Sequence, residues 1–266
     1  MCLLVFAHRA DPRYPLVLAA NRDEFHARPT AGSAFWPEYP GLLAGRDLAQ
    51  GGTWMGLTRD GRFAAITNFR DPARTAPAPR SRGELPLNYL AGGQPPQAFL
   101  RDLLVHADDY AGFNLLVGTV DTLWYLTNSV DRDERTPQCL PPGLYGLSNA
   151  RLDTPWPKVI RARDRLRAVM ATTRGLGHEA LATAVGDRTL ADLADLQRQG
   201  LTHGMDLLLS AQFITTASYG TRSTTTLWVD DKGMASWRES SFDARGAEAD
   251  RREYAFALAA NPPGCE

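Results

Sequence analysis

A cysteine at the second position and a polar cluster further along the chain hold the side chains best suited to joint chemistry. Removal of Met1 would leave Cys2 with both its thiol and a free α-amine, and an amine with a reference pKa of about 8 can accept the thiol proton. Such a nucleophile needs a cation that favours the thiolate, a carboxylate that holds the amine, and amide donors for an oxyanion. Arg22, Asp23 and Asn21 supply these groups.

An antiparallel hairpin would bring the cysteine and the cluster together. Apolar runs at 2–8 and 16–21 flank a turn predicted at residues 11–12, so the numbers of facing residues sum to about 23 and Cys2 lies opposite Asn21. The plainer alternative is a small buried cysteine at a strand start, with the arginine and the acid of the cluster paired only to each other. Residue types alone leave both interpretations open.

Runs of apolar or alternating residues bounded by turn residues predict the strands of this chain. Tight turns join most of the runs, which favours sheets built from antiparallel hairpins. The predicted strands are 2–8, 16–21, 53–58, 62–68, 113–119, 122–127, 143–148, 225–230 and 234–238.

Helices are fewer than strands in the predicted pattern. The clearest one follows Thr154, which is predicted to cap it. A second helix falls within 95–107, and shorter helical segments fall within 178–197. Strands with helices between them predict an α+β fold, and we expect a single domain over residues 1–266. The apolar stripe of the first helix consists of Val159, Ile160, Leu166, Val169 and Met170.

Composition and charge narrow the functional classes. The formal net charge is −1 at pH 7, without the broad basic field of a nucleic-acid-binding protein. The longest apolar runs are too short to cross a bilayer, and the chain opens without a charged-then-apolar leader, so we expect a cytoplasmic protein. The three cysteines and five histidines lack metal-ligand spacing, so we expect no metal site and no required cofactor.

A loop rich in arginine and proline at 71–83 has two interpretations. It is most simply a solvated connection. Its arginines could instead form a basic lip that attracts an anionic ligand. These arginines, with the one just before the loop, are Arg70, Arg74, Arg80 and Arg82.

Several short motifs occur in a specific order along nearly the whole chain. They are MC at 1–2, ANRDE at 20–24, GRD at 45–47, GGTWMG at 51–56, TNFRDP at 67–72, GFNLLVG at 112–118, GLSNARLDTPWPKV at 146–159 and YGTRSTTTL at 219–227. Together they resemble the NRDE family, also called the transport and Golgi organisation protein 2 family. That family is similar to the N-terminal nucleophile hydrolases, especially the cysteine branch with penicillin V acylase and bile salt hydrolase.

The resemblance implies a fold and a set of site residues. The implied fold is a four-layer αββα sandwich of two antiparallel sheets. In the cysteine branch an N-terminal cysteine attacks a carboxamide, an arginine and an aspartate lie beside it, and asparagines help to hold the oxyanion and the amine. Matched onto this chain, the residues of the reaction would be Cys2, Arg22, Asp23, Asn68, Asn149 and Arg222.

The acylases separate the equivalents of Arg22 and Asp23, whereas the two are adjacent here, so strand alternation could send them to opposite sheet faces. One of the two would then be structural. Trp54 could be either core or the wall of a substrate pocket. Asn21 and Arg70 complete the expected substrate-binding set.

Two functions follow as expectations. The first is a cysteine amidohydrolase that acts on an amide or thioester of a small acyl substrate. The second is a carrier, because the family is associated with lipid, acyl-coenzyme A and haem handling, and the arginine-rich loop could meet haem propionates or coenzyme phosphates. Haem iron usually takes an axial His, Cys, Met or Tyr, and Cys2 or His26 could serve. Residue strings leave open the substrate, the oligomeric state and whether the site turns over.

Overall fold

The computed structural model describes residues 2–70, 77–172, 175–201 and 204–259. The strands are β1 (Cys2–Asp11), β2 (Tyr14–Phe25), β3 (Thr30–Trp36), β4 (Tyr39–Asp47), β5 (Met55–Thr58), β6 (Arg62–Asn68), β7 (Phe113–Thr119), β8 (Leu123–Thr127), β9 (Gln138–Cys139), β10 (Gly143–Leu147), β11 (Tyr219–Val229), β12 (Met234–Phe242) and β13 (Glu248–Ala257). The helices are α1 (Glu84–Ala91), α2 (Pro96–Leu104), α3 (Pro157–Met170), α4 (His178–Ala182), α5 (Leu193–Arg198) and α6 (Gly204–Leu208). In these ranges no helix combines the length and the apolar character needed to cross a membrane.

The strands form two antiparallel sheets. One sheet has the order β10-β1-β2-β11-β12-β13, and the other has the order β3-β4-β5-β6-β7-β8-β9. The chain leaves the first sheet after β2, completes the second sheet, and returns at β10. The first sheet therefore joins strands from both ends of the chain, and β1 and β2 lie near its middle.

Apolar side chains fill three spaces and so define four layers. One cluster lies between the sheets and includes Leu4 and Phe6 of β1. A second joins the β3–β9 sheet to α1 and α2, and a third joins Leu3 and Val5 of β1 to α3 and α4. Successive residues of β1 thus enter different clusters, which explains why this central strand reads as one continuous apolar run. The predicted α+β αββα arrangement is confirmed.

The β1–β2 hairpin has nearly the predicted register. Cys2 pairs with Arg22 rather than Asn21, so the facing numbers sum to 24 in this part of the ladder. The difference arises at the turn, which is centred on residues 12–13 rather than 11–12, so that Asp11 pairs with Tyr14 and the sum is 25 beside it. A bulge between His8 and Asp11 adds one residue on β1, where Arg9 has a φ of 47°, and lowers the sum to 24. The shift matters for the site, since residues directly opposite in a ladder point to the same face.

Some predicted features differ in the structure. The helix α3 has Trp156 as its N-cap, and Thr154 instead donates its hydroxyl hydrogen bond to the Arg151 carbonyl at 2.7 Å. Ile160 points away from the apolar stripe and is exposed. The sequence patterns also missed four strands, β3, β4, β9 and β13. The edge strand β13 carries charged residues at many positions and is mostly exposed, so it lacks the alternating apolar pattern of a covered strand.

Candidate active site

A cavity of about 450 Å³ opens at the end of the β1–β2 hairpin. It lies where the strand pair of the first sheet meets β6, the segment before β5 and the loop that precedes α1. Its walls are polar and carry both signs of charge. The residues that line it are Cys2, Arg22, Asp23, Glu24, Arg28, Asp47, Gln50, Thr53, Trp54, Ile66, Asn68, Ala78, Pro79, Arg80, Ser81, Arg82, Gly83 and Ala111.

Cys2 lies partly exposed at the wall of this cavity. Because Leu4 and Phe6 face the space between the sheets, strand alternation places the Cys2 side chain on the same inner face. Burial raises the pKa of the Cys2 thiol, and the negative charge of Asp23 also raises it. The backbone N–H of Asp23, which bonds the sulfur, and the charge of Arg22 act in the opposite direction.

Arg22 lies directly opposite Cys2 in the β-ladder and is only 6% exposed. Its guanidinium stacks over the Trp54 ring with 4.3 Å to the centroid, and Nη1 donates a hydrogen bond to Thr30 Oγ1 at 3.1 Å. Burial lowers the pKa of Arg22, while the charges of a Cys2 thiolate and of Glu24 raise it. The arginine is therefore held rigidly beside the sulfur.

Trp54 is both a core residue and a cavity wall. It packs against the cluster between the sheets and against the cluster beneath α1, and it also lines the cavity. A Cβ added at Gly45 would lie 2.3 Å from the Trp54 ring, so a glycine is needed there for the ring to sit where it does. The ring in turn fixes the plane of the Arg22 guanidinium.

Asp23 belongs to the outer face of the same strand end, where the helix layer lies. The Thr221 hydroxyl donates a hydrogen bond to Asp23 Oδ1 at 2.7 Å, and the carboxylate is almost fully buried. Burial raises the pKa of Asp23, and the positive charge of Lys158 lowers it. The adjacent residues Arg22 and Asp23 thus point to opposite faces, as strand alternation requires.

Lys158 is a buried charge that the sequence interpretation missed. It lies in the first turn of α3, is 2% exposed, and donates from Nζ to the Leu209 carbonyl at 2.8 Å. Burial lowers the pKa of Lys158, and the negative charges of Asp23 and of a Cys2 thiolate raise it. The sequence contains a signal for the burial of this lysine, because the buried stripe of α3 repeats every four residues from Lys158. The stripe consists of Lys158, Ala162, Leu166 and Met170.

The two asparagines predicted from the resemblance have different positions. Asn68 lines the cavity at the end of β6, and its side chain makes no hydrogen bond to another residue in the described ranges. Asn149 is buried outside the cavity wall and donates from Nδ2 to the Asn68 backbone carbonyl at 2.7 Å. The neighbouring Ser148 hydroxyl donates to the Cys2 carbonyl at 2.8 Å. The strand-end segment after β10 therefore ties Asn68 to Cys2.

Three further predicted residues lie away from the cavity wall. The Asn21 side chain faces the helix layer, where Nδ2 donates to the Val185 and Gln212 carbonyls at 2.7 and 2.9 Å. Arg222 donates to the Phe25, His26 and Arg28 carbonyls and so holds the turn after β2. Arg70 forms an ion pair with the buried Asp206. Each contact supports a neighbouring element and directs the side chain away from Cys2.

The fold and the cavity define a class of protein: a four-layer α+β sandwich with a cysteine from its first strand at the wall of a charged cavity. The family model described as Transport and Golgi organisation 2 matches residues 1–244 of this chain. The chain belongs to that family, and the resemblance to the NRDE family is confirmed.

Relatives cover the chain almost completely. The Transport and Golgi organization 2 homolog of Mus musculus is 33% identical over 280 residues, which span 97% of this chain and 99% of the relative. The corresponding Bos taurus homolog is 35% identical over 262 residues, spanning 91% of this chain and 93% of the relative.

Solved structures resemble this chain more distantly. The C2A mutant of the conjugated bile acid hydrolase from Clostridium perfringens has a TM-score of 0.46 and 12% identity, with coverage of 99% of this chain and 100% of that chain. A Caenorhabditis elegans ortholog of N-acylethanolamine-hydrolyzing acid amidase has a TM-score of 0.41 and 10% identity, with coverage of 85% and 92%.

Proposed function

We propose that this protein is a cysteine N-terminal nucleophile amidohydrolase, which cleaves the C–N bond of an amide, or a thioester, in a small acyl substrate. The observation that carries the proposal is the position of Cys2. Its side chain lies at the wall of a cavity, opposite Arg22 and within reach of the Asp23 backbone N–H. A cysteine kept only for packing would not need a cavity or a buried arginine beside it.

The proposed reaction begins after removal of Met1, which exposes the α-amine of Cys2. This amine takes the thiol proton, and the sulfur attacks the substrate carbonyl carbon to form a C–S bond and an oxyanion. Arg22 favours the thiolate through its charge. Asp23, buried one residue past the ladder partner of Cys2, holds the α-ammonium in the proposed arrangement.

Collapse of the tetrahedral intermediate breaks the C–N bond. The leaving amine takes the proton from the α-ammonium, and the acyl group stays on sulfur as a thioester. Water then attacks the thioester carbonyl and loses its proton to the α-amine. The C–S bond breaks, the acid leaves, and the thiolate regains the proton.

Asn68 is the proposed side-chain donor to the oxyanion. It lies on the cavity wall and its amide is not engaged by another described residue. Asn149 is a positioning residue, because its amide bonds the Asn68 carbonyl and so fixes the end of β6. Loss of one oxyanion donor commonly lowers kcat by about 100- to 1,000-fold.

Mass spectrometry tests this proposal directly. The intact mature protein is expected to begin at Cys2, and a panel of acyl amides and thioesters is expected to add an acyl mass that disappears with time. Cys2→Ala should abolish the adduct, whereas the matched variant Cys139→Ala should keep it, because Cys139 is exposed on the edge strand β9. Retention of Met1 in the active protein, or adducts indifferent to Cys2, would contradict the proposal.

The carrier function is the alternative that the same protein can test. Within the described part of the cavity wall, Cys2 is the one residue of a type that usually ligates haem iron. His26 instead has Nε2 within 3.1 Å of the Thr216 carbonyl. Cys2 is the nucleophile of the proposed reaction and His26 is directed at a backbone carbonyl, so neither is left as an axial haem ligand. Tight binding of haem or acyl-coenzyme A that is unchanged in Cys2→Ala, with no acyl loss, would favour the carrier.

A further inference from the structure

Four arginines line the cavity, and they differ in whether an acid neutralises them. Arg28 is paired with Asp47 at 2.6 Å, and Arg80 is paired with Glu84 at 2.5 Å. Arg22 and Arg82 have no carboxylate within salt-bridging distance among the residues that the structure describes. Two positive charges therefore face the same cavity without a direct counter-ion.

Arg82 is held in place by backbone contacts. Its Nη1 donates to the Gly112 carbonyl at 2.9 Å, and the next residue, Gly83, accepts a hydrogen bond from the Thr53 N–H at 3.0 Å. A Cβ added at Gly52 would lie 2.4 Å from the Gly83 carbonyl group, so this close approach requires a glycine. The loop before α1 is thereby fixed against the segment that carries Trp54.

Both arginines are close enough to the nucleophile for charge to act between them. Burial lowers the pKa of Arg22 and of Arg82, and the negative charge of a Cys2 thiolate opposes this lowering at both. Glu24 also acts on both arginines, but one of its oxygens accepts the Phe25 N–H at 2.9 Å and the other lies 4.0 Å from Arg28. An unpaired, partly desolvated guanidinium is costly unless a ligand supplies the missing anion.

We propose that Arg22 and Arg82 form an anion-binding site beside Cys2, so that the substrate carries a carboxylate or phosphate group close to its scissile carbonyl. The proposal rests on the function proposed above, since it takes Cys2 as the nucleophile. Guanidinium groups present paired N–H donors that match both anions. Of the arginines in the basic lip predicted from the sequence, the site uses Arg82. Arg70 and Arg80 are ion-paired, and Arg74 lies outside the described residues.

Alkylation of Cys2 by two matched reagents tests the site without a known substrate. Iodoacetate places a carboxylate next to the reacting carbon, whereas iodoacetamide is neutral. The two rates are measured at Cys2 by peptide mass mapping, with Cys139 in the same protein as the exposed reference. We expect the ratio of iodoacetate to iodoacetamide rates to be higher at Cys2 than at Cys139 by about tenfold, the effect of one charge-assisted hydrogen bond.

Substitutions separate substrate binding from simple stabilisation of the thiolate. Arg82→Gln should lower the rate ratio about tenfold, because it lowers the iodoacetate rate by about ten times more than the iodoacetamide rate. Arg80→Gln is the matched control. It removes a positive charge from the same loop, but Glu84 already neutralises that charge, so the variant should keep the wild-type rate ratio. Equal losses of both rates in Arg82→Gln would show that the arginine acts on the thiolate alone and would overturn the proposal.

Folding and the identity of the anion need two further measurements. Arg82→Lys keeps the charge and should restore part of the ratio, with Tm compared across all variants. Acetate and inorganic phosphate, at matched ionic strength, should each slow iodoacetamide alkylation of Cys2 in the wild type and not in Arg82→Gln. Stronger protection by one of them identifies the preferred anion, and protection by neither would contradict the site.

The outcomes also keep the two proposals apart. If Cys2 forms no acyl adduct but the ratio depends on Arg82, the hydrolase fails and the anion site stands. If Cys2 turns over acyl donors and the ratio ignores Arg82, the hydrolase stands and the anion site fails.

Discussion

The two faces at the end of β2 place opposite charges in different surroundings. The inner face carries Arg22, stacked on Trp54 and directed towards the cavity with Cys2. The outer face carries Asp23, bonded to Thr221 and influenced by Lys158 beneath the helix layer. One strand end therefore supplies a cation on the sulfur side and a carboxylate on the other side. Adjacent residues can serve a single nucleophile because thiol and α-amine leave the same Cα in different directions.

Each of these charges also has a buried titratable group of the opposite type behind it. Glu239 lies on the inner side, where it accepts a hydrogen bond from the Ser33 N–H at 2.7 Å. The positive charge of Arg22 is near enough to affect the pKa of Glu239. Lys158 occupies the corresponding position on the outer side. The difference is that Glu239 bonds the opposite sheet, whereas Lys158 belongs to a helix. The surroundings of Arg22 therefore depend on how the two sheets pack together, and those of Asp23 depend on how α3 packs on the first sheet.

The largest effect is expected from substitutions on the two faces, which should shift the pKa of the Cys2 thiol in opposite directions. Arg22→Gln should raise the pKa of the Cys2 thiol, because it removes a charge that lowers it, and Asp23→Asn should lower that pKa. Both variants should lose turnover, Arg22→Gln by about 100-fold or more and Asp23→Asn by a similar factor. The pH dependence of iodoacetamide alkylation at Cys2 measures the shifts. Shifts in the same direction would contradict the division of roles between the faces.

A smaller effect is expected from the glycine that holds the Arg82 loop. Gly52→Ala should destabilise the protein by about 1–3 kcal/mol, because the added Cβ meets the Gly83 backbone, and it should also lower the alkylation rate ratio. Gly51→Ala is the matched control. Gly51 has a φ of +77° and no atom within 4 Å of an added Cβ, so its variant should lose about 1 kcal/mol through strain and keep the ratio. Urea unfolding and alkylation measure the two effects.

Unchanged alkylation in Gly52→Ala, with clear destabilisation, would show that the loop position does not control the anion site. The stabilities and the alkylation ratios thus report separately on packing and on charge placement.

The smallest expected effect concerns the pH dependence of stability on the inner face. Burial raises the pKa of Glu239, so the folded chain holds a proton that the unfolded chain has lost as the pH rises from the ordinary value of 4.5 towards the folded pKa. The stabilising contribution of this proton is present below that window and is lost above it. Glu239→Gln should therefore gain stability relative to wild type as the pH rises above 4.5, until the folded wild type also loses the proton.

Glu248 is the exposed control, and the expected change of its variant's stability with pH has the opposite sign. Arg251 lowers the pKa of Glu248, so the Glu248→Gln variant should lose a small amount of stability relative to wild type as the pH rises through the window below 4.5. Denaturant unfolding at several pH values measures both differences. A Glu239→Gln difference that does not change with pH would show that the inner-face carboxyl titrates as in the unfolded chain.

Local patterns predicted much of the fold and the core of the site. The hairpin register was predicted to within one residue, because the turn lies one residue further along the chain than predicted and the bulge at Arg9 offsets part of that shift. Strands β3 and β4 were missed because glycine and polar residues interrupt their apolar pattern. Lys158 was missed because a lysine within an apolar stripe is read as solvent-facing, although α3 buries it.

The sequence by itself determined the family, through motifs in a specific order along the chain. It also determined the hairpin-built sheets and placed Cys2 within one residue of Arg22 in the ladder, because these depend on short-range periodicity and turn chemistry. The tertiary structure alone decided which arginine of the loop faces the cavity without an acid partner and which side chains surround Asp23. Those choices depend on contacts between distant segments, such as the approach of Gly52 to Gly83 and the docking of α3 on β1. A local pattern specifies that a residue is charged, but only the packing of the layers decides whether its partner is an acid, water or a ligand.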